Sequence, residues 1–478
     1  MTFDSVTFWV FFPAVWAAWW WLPFRAAKTA ALLASLVFYG WWNPWYLPLI
    51  FLSAGVDYTV GARLHRAQEP ATRRRLLWLS LAVNLGLLAV FKYGPFAVEN
   101  ASQVARALGL DANWRLAGWV IPIGISFYTF QTLSYTIDIY RRQLEPARSF
   151  RDFFLYVAFF PQLVAGPIVR ARSLLPQFAK RPTLRLPEVQ LGLYQIVVGL
   201  FLKVVIADNL APAVDRVFQV QVLAELTPLE TWLGVLYFSV QIFADFAAYS
   251  GIAIGVAHLM GIRFPDNFRY PYISRGLSEF WTRWHISLSS WLRDYLYIPL
   301  GGKRRGRART YAALMGTMLL GGLWHGAAWT FVAWGGLHGL GLWVERAWLG
   351  ASRARGPAGP LAGAGDFLGR VWKIAIVFVF VLTTWVFFRA PSFEMALLCL
   401  RRMYVTPFTD GFGLEKLAQA HHLVFVAPVL LMHLGQAAHE WGGLRKGAYL
   451  RASVAAVLLL LLVVVERGAG VEFIYFQF

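Results

Sequence analysis

"VWKIAIVFVFVLTTWVFF", residues 371–388, carries a single charge, Lys373. The hydrocarbon layer of a bilayer is about 30 Å thick and takes about 20 helical residues to cross. A run this long and this apolar reads as a membrane-crossing helix. Comparable runs recur near 6–22, 28–62, 76–94, 117–139, 190–207, 230–260, 310–350 and 450–466. Some hold two passes, so the length rule predicts about 10 to 13 membrane-embedded helices.

Composition points the same way. The 478 residues are 58% hydrophobic, 17% aromatic and only 14% charged, with mean hydropathy +0.52. Soluble domains carry about 25% charged residues. The fold class is therefore all-α: a polytopic integral membrane bundle with re-entrant or amphipathic segments around a central channel. "FFPQLVAGPIVR" (159–170) is shorter than a span and interrupted by Pro and Gly, and irregular backbone at membrane depth must be buried in protein or line a cavity.

The net charge of +19 does not indicate nucleic-acid binding. Its basic residues sit in short connections, "RLHRAQEPATRRR" (63–75), "RRQLEPARSFR" (141–151) and "GKRRGRART" (302–310), as expected of loops retained in the cytoplasm. No separate basic domain offers a groove. The stretch 353–369, rich in Gly, Ala, Pro and Arg, reads as a flexible loop. The first apolar run begins with Asp4 and lacks a basic n-region and cleavage site, so it reads as a retained helix. The lone cysteine, Cys399, excludes an intrachain disulfide and a Cys-rich metal site.

Residues 241–301 mix polar and apolar side chains. A helix is expected to start at Ser278 as its cap and run to Pro299, with Trp281, Trp284, Leu288 and Trp291 on one face and Glu279 paired to Arg283 one turn on. So polar a helix cannot face lipid; it lies at the interface or packs inside.

"GGLWHGAAWT" (321–330) embeds His325 among small residues. An ionisable group within a membrane segment is expensive and marks function by default. Glycines beside it let a backbone or a thin substrate approach closely, with Trp324 and Trp329 as walls. A neutral imidazole suits removal of a proton from a hydroxyl that attacks a thioester or ester. His285 reads as a second proton carrier or orienting group. His258 and His338 read as packing or orienting histidines, and His421 and His422 as loop or helix-end residues. Asp208 and Asp245 are embedded carboxylates suited to pairing or to orienting a histidine. No metal-site spacing, P-loop, dinucleotide fingerprint or GxSxG elbow appears.

The segments "RFPDNFRYPYISRGLSEFWTRWHISLSSWLRDYLYIPLGG" (263–302) and "GGLWHGAAWTFVAWGGLHG" (321–339) resemble the signature of the membrane-bound O-acyltransferases, in the alginate O-acetyltransferase-like bacterial branch. "YGWWNPWYLP", "IPIGISFYTFQTLSYTIDIYR", "FFPQLVAGPIVR" and the terminal "EFIYFQF" extend the similarity over most of the chain. The resemblance implies a pore-containing bundle passing acyl groups from a cytoplasmic thioester to an acceptor at the outer face. It places the family's histidine at His325 and its second motif histidine at His285. Asn267, Trp324 and Arg293 belong to the same motifs. One departure is "DFAAYSGIAIG" where relatives read "DFSGYSDMAIG", so Asp245 is kept while Gly251 replaces a carboxylate.

The expectation is one O-acyltransferase domain over 1–478, with core motifs in 240–340. His325 and His285 are the catalytic residues, and Trp324, Asn267, Asp245, Arg293, Gly322 and Gly326 line the substrate channel. The enzyme is expected in the bacterial inner membrane, moving acetyl from acetyl-CoA, a substrate rather than a bound cofactor, to a hydroxyl of an exported polysaccharide. The transfer is direct or runs through a periplasmic acyltransferase partner. The competing reading is a transporter, flippase or scaffold for polysaccharide export.

Overall fold

The computed structural model describes residues 1–116, 121–164, 166–303, 306–348, 364–407 and 422–442, with positions 454, 457, 458, 461, 462, 473 and 474. The expected span at 450–466, His421, and the loop expected at 353–369 up to residue 363 lie largely or wholly outside these described residues. Every regular element among them is helical. Five are long and apolar enough to cross a membrane: Pro70–Ala107, Leu186–Val217, Pro228–Leu259, Gly365–Arg389 and Leu423–Trp441. The 371–388 stretch lies inside the fourth. The 230–260 run falls in one long helix, Pro228–Leu259, whereas 28–62 and 310–350 each hold two.

The chain divides into two compact units, Met1–Leu193 with Ala253–Pro265, and Tyr194–Ile252 with Asp266–Phe478. In the first, the helix Val6–Trp21 turns tryptophan edges toward a helix end. Trp16 and Trp20 donate to the Leu259 carbonyl and Trp19 to that of Met260, at 2.8, 3.2 and 2.9 Å. These bonds satisfy carbonyls that a helix C-terminus leaves open. In the re-entrant candidate Phe160–Leu163 is a short buried helix, and the non-helical residues 166–169 after it are buried too, so its irregular backbone is enclosed by protein, as membrane depth requires. Asp57 is also wholly buried. It accepts from Ser80, from Asn84 at 2.8 Å and from Thr136 at 3.1 Å, which ties together the helices Leu47–Arg66, Pro70–Leu88 and Ile125–Tyr140.

In the second unit, Arg307–His325 and Trp329–Trp348 pack backbone to backbone. A Cβ on Gly322 would lie 2.2 Å from the Phe331 carbonyl oxygen, and one on Gly335 would lie 2.3 Å from that of Met318. Only hydrogen fits at such a crossing.

The expected helix from Ser278 to Pro299 is broken. Leu277–Arg283 and Ile286–Leu292 are separate, and His285 between them is left-handed, with φ 42°. The first piece starts after Gly276. Ser278 is not its cap; its amide donates to Glu345 Oε2 at 3.1 Å, a carboxylate suited to the positive end of the helix. The break ends the four-residue apolar face. Trp281 and Leu288 line a cavity, while Trp284 is fully buried against Phe280 and Trp385. The expected Glu279–Arg283 pair forms at 2.8 Å, and Arg283 also binds Glu440 at 2.8 Å. With Leu277, Phe280, Leu288 and Trp291 buried, this polar segment packs inside.

Candidate active site

His325 is the last residue of Arg307–His325, and Gly326 beyond it is extended. Leu314, Thr317, Met318, Gly321 and His325 all face one cavity of about 450 Å³. Their spacing of three or four residues defines a single helix face, about 16 Å long at 1.5 Å rise per residue. Trp281, Leu288 and Leu292 close a second side, and Trp334, Leu342 and Glu345 a third. Arg293, Lys303 and Arg346 also line it. Arg293 is exposed and pairs with Asp294 at 2.8 Å, and Lys303 is exposed as well. The cavity therefore runs from exposed basic residues to a buried imidazole.

His325 is only 4% exposed. Rings surround it: Trp324 at 4.9 Å, Trp334 at 5.2 Å, Phe388 at 5.3 Å and His285 at 6.3 Å between centroids. Each imidazole nitrogen lies about 1.1 Å from its ring centroid, so the two rings approach to about 4 Å at nearest, beyond the 2.7–3.2 Å of a direct hydrogen bond. His285 is completely buried and packs edge-on against Phe246. Its Nδ1 lies 3.1 Å from Asn267 Oδ1.

The structure thus brings His285, His325, Trp324 and Asn267 together and puts His325 and Arg293 in the cavity wall, whereas Trp324 and Asn267, expected in the channel, stand behind the lining with His285. Other sequence expectations change. Gly322 and Gly326 do not line the cavity: the space around them is filled by the Phe331 carbonyl and the Phe331 ring, with a Cβ on Gly326 only 2.1 Å from that ring. Of the two explanations for small residues beside His325, close backbone approach holds at Gly322, a ring fills the space at Gly326, and only Gly321 opens on the cavity. Trp329 is 55% exposed and is no wall; Trp334 takes that place. Asp245 also stands apart from the cavity lining. It shares Lys203 with Asp208, at 3.0 and 2.9 Å, and accepts from the Ile474 amide at 2.6 Å. His338 is a packing histidine as expected, buried with Nε2 on the Thr384 hydroxyl at 3.0 Å. Gly251 has open room, a Cβ there meeting only the Gln195 carbonyl at 3.5 Å. Trp334, Glu345 and Arg346 were not anticipated, although the stripe from Leu314 to His325 carries the signal that leads to them, and Lys303 comes from the basic connection at 302–310.

Comparison with known proteins identifies the family. Residues 144–362, which contain both histidines and the cavity, match the model of the membrane-bound O-acyltransferase family. The chain is 41% identical over 413 residues, 86% of its length and 79% of the relative's, to a protein of Azotobacter vinelandii named probable alginate O-acetylase. This chain belongs to the membrane-bound O-acyltransferase family. It is 41% identical over 402 residues to the Pseudomonas aeruginosa protein of the same name, covering 83% of this chain and 73% of the other. It is 37% identical over 402 residues to the peptidoglycan O-acetyltransferase of Helicobacter pylori, covering 79% and 73%. Like other members of the O-acyltransferase family, it is an acyltransferase with multiple apolar helices.

Proposed function

We propose that this chain is an inner-membrane O-acetyltransferase that takes acetyl from cytoplasmic acetyl-CoA and delivers it toward a hydroxyl of an exported polysaccharide. The observation that carries the reading is a cavity lined by both the exposed Arg293 and Lys303 and the buried His325, beside which lies His285. Basic residues at the open end suit the phosphates of CoA, and the buried imidazole suits proton removal from an attacking hydroxyl. The polysaccharide acceptor is supported by relatives named for acetylation of alginate and of peptidoglycan. A periplasmic acyltransferase is the proposed partner where the polymer does not itself enter the membrane. Family membership removes the ground for a non-catalytic transporter or scaffold.

The test is radiolabelled acetyl transfer from acetyl-CoA in membranes carrying wild type or His325→Ala at equal protein levels, with polymer O-acetylation measured alongside. Loss of transfer with normal polymer export supports the reading. Normal transfer in the variant, or loss of export itself, overturns it.

A further inference from the structure

We propose that Asn267 is a positioning residue that fixes the tautomer of His285 and thereby selects Nε2 as the nitrogen that exchanges protons during acyl transfer. The proposal rests on the catalytic reading above but concerns a side chain that never touches the cavity.

Asn267 is 1% exposed, and its amide is locked at both ends. Oδ1 faces the Ser287 backbone N–H at 3.3 Å, the Ser287 hydroxyl at 2.8 Å and His285 Nδ1 at 3.1 Å. Nδ2 donates to the Ser250 hydroxyl at 2.9 Å. Amide oxygen and nitrogen look alike in shape, and the hydrogen-bond network must decide between them. Here the backbone decides. A peptide N–H can only donate, so the amide atom in front of Ser287 N must be the oxygen. His285 Nδ1 lies 3.1 Å from that same oxygen and 3.5 Å from the Ser287 hydroxyl, which is itself 2.8 Å from Oδ1; with the hydroxyl turned to the nearer oxygen, Nδ1 carries the hydrogen. A neutral imidazole has one N–H, so its lone pair lies on Nε2.

Nε2 of His285 is fully buried and has no hydrogen-bond partner among the described residues. A buried acceptor left unpaired is costly and calls for an explanation. Proton uptake supplies one. His325 takes the hydroxyl proton as the ester bond forms and the carbonyl–sulfur bond breaks. That proton passes on through one bridging oxygen, of water or of the bound acceptor, to His285 Nε2 while Nδ1 keeps its own, since the rings stand too far apart for a direct bond. His325 is returned to its neutral form, and the imidazolium at 285 gives its proton to the departing thiolate or to water.

The backbone is built for the same end. His285 holds a left-handed conformation at φ 42° and ψ 54°, which non-glycine residues avoid and which persists only where surroundings impose it. The Asn267 carbonyl accepts from the Ile286 amide at 2.9 Å, and the Arg269 amide donates to the Arg283 carbonyl at 2.9 Å. The 267–269 segment therefore grips the chain on both sides of the break. Around the His285 ring, Phe246, Phe268 and Trp324 do not ionise, and His325 does.

The experiment combines ¹⁵N-histidine NMR of the purified full chain in nanodiscs with acetyl-transfer kinetics of Asn267→Leu and Asn267→Asp. A His285→Gln sample assigns the signals. Wild type is expected to show the Nδ1–H form at 285. Asn267→Leu loses that preference and lowers kcat by about 10²-fold or more with KM little changed, as removal of an orienting group does to a histidine base. Asn267→Asp keeps the tautomer and restores most of kcat. Its carboxylate stabilises imidazolium, so the acidic limb of the pH–rate profile moves to higher pH. An Nε2–H form in wild type overturns the proposal, as do equal losses in both variants with an unmoved pH profile. If the leucine variant does not accumulate folded, the wild-type tautomer and the aspartate profile decide. Failure of wild type to use acetyl-CoA at all sinks the functional reading instead, and the NMR result still judges Asn267.

Discussion

The His285 and His325 rings face each other with centroids 6.3 Å apart, one at a break between two short helices and the other at the end of a long one. A gap of this size excludes a direct bond and admits one bridging oxygen. On the proposed mechanism two imidazoles so placed work as a unit.

Replacing either histidine by alanine is therefore expected to cost about 10²–10⁴-fold in transfer rate, the usual contribution of general acid–base catalysis. Because the two act together, the double variant loses little more than the worse single one. Single-turnover acetyl transfer at matched protein levels reads both effects. Multiplicative losses would show that the rings act independently.

Gly322 and Gly326 beside His325 serve packing. Gly322→Ala places a methyl 2.2 Å from the Phe331 carbonyl oxygen, and prying apart a packed pair of helices costs about 1–3 kcal/mol. Gly316 on the same helix has nothing within 4 Å of its Cβ position. Gly316→Ala is thus expected to be neutral, or to gain up to about 1 kcal/mol through helix propensity. Thermal unfolding in detergent distinguishes the two, with Gly322→Ala the lower.

Much of this arrangement is written locally. Apolar run length marks the spans, and the cost of embedding an imidazole singles out His325 and His285 before any packing is known. The i, i+4 spacing of Glu279 and Arg283 foretells their ion pair. What escapes the sequence depends on partners distant in the chain. Ser278 looks like a helix cap until Glu345 supplies the carboxylate from another helix. A continuous apolar face seems to run from Trp281 to Trp291 because nothing nearby announces that Asn267 will hold His285 left-handed. Gly322 and Gly326 read equally well as a channel or as a crossing, and only the position of Phe331 decides.

Asp245 is expected to matter for folding more than for chemistry. Lys203 lies between it and Asp208, all three nearly inaccessible. Removing the cation leaves two carboxylates confronting each other, and breaking a buried pair costs about 3–5 kcal/mol. Lys203→Met should accordingly fail to accumulate in the membrane. Asp245→Asn keeps the shape and relieves charge but gives up one of two acceptors, since Oδ1 faces Lys203 and Oδ2 the Ile474 amide; it should accumulate less well yet retain near-normal transfer per folded molecule. A folded, inactive Asp245→Asn would instead place this carboxylate in the reaction.

The basic end of the cavity should govern donor binding and leave the chemical step alone. Arg293, Lys303 and Arg346 contribute to the lining at a distance from the histidines, and the first two are exposed. An exposed ionic contact is worth about 0.2–1 kcal/mol, a factor of about 1.4 to 5 in affinity for each side chain. Glutamine replacements are expected to raise KM for acetyl-CoA by such factors with kcat unchanged, the signature of binding shared equally by ground and transition states. Combined, they should add, because each meets the ligand's phosphates separately. The wild-type KM should also climb with ionic strength as screening shortens the reach of these charges, and the triple variant should lose that dependence. Unchanged KM with reduced kcat would place the donor phosphates elsewhere and leave the three basic residues a role in topology alone.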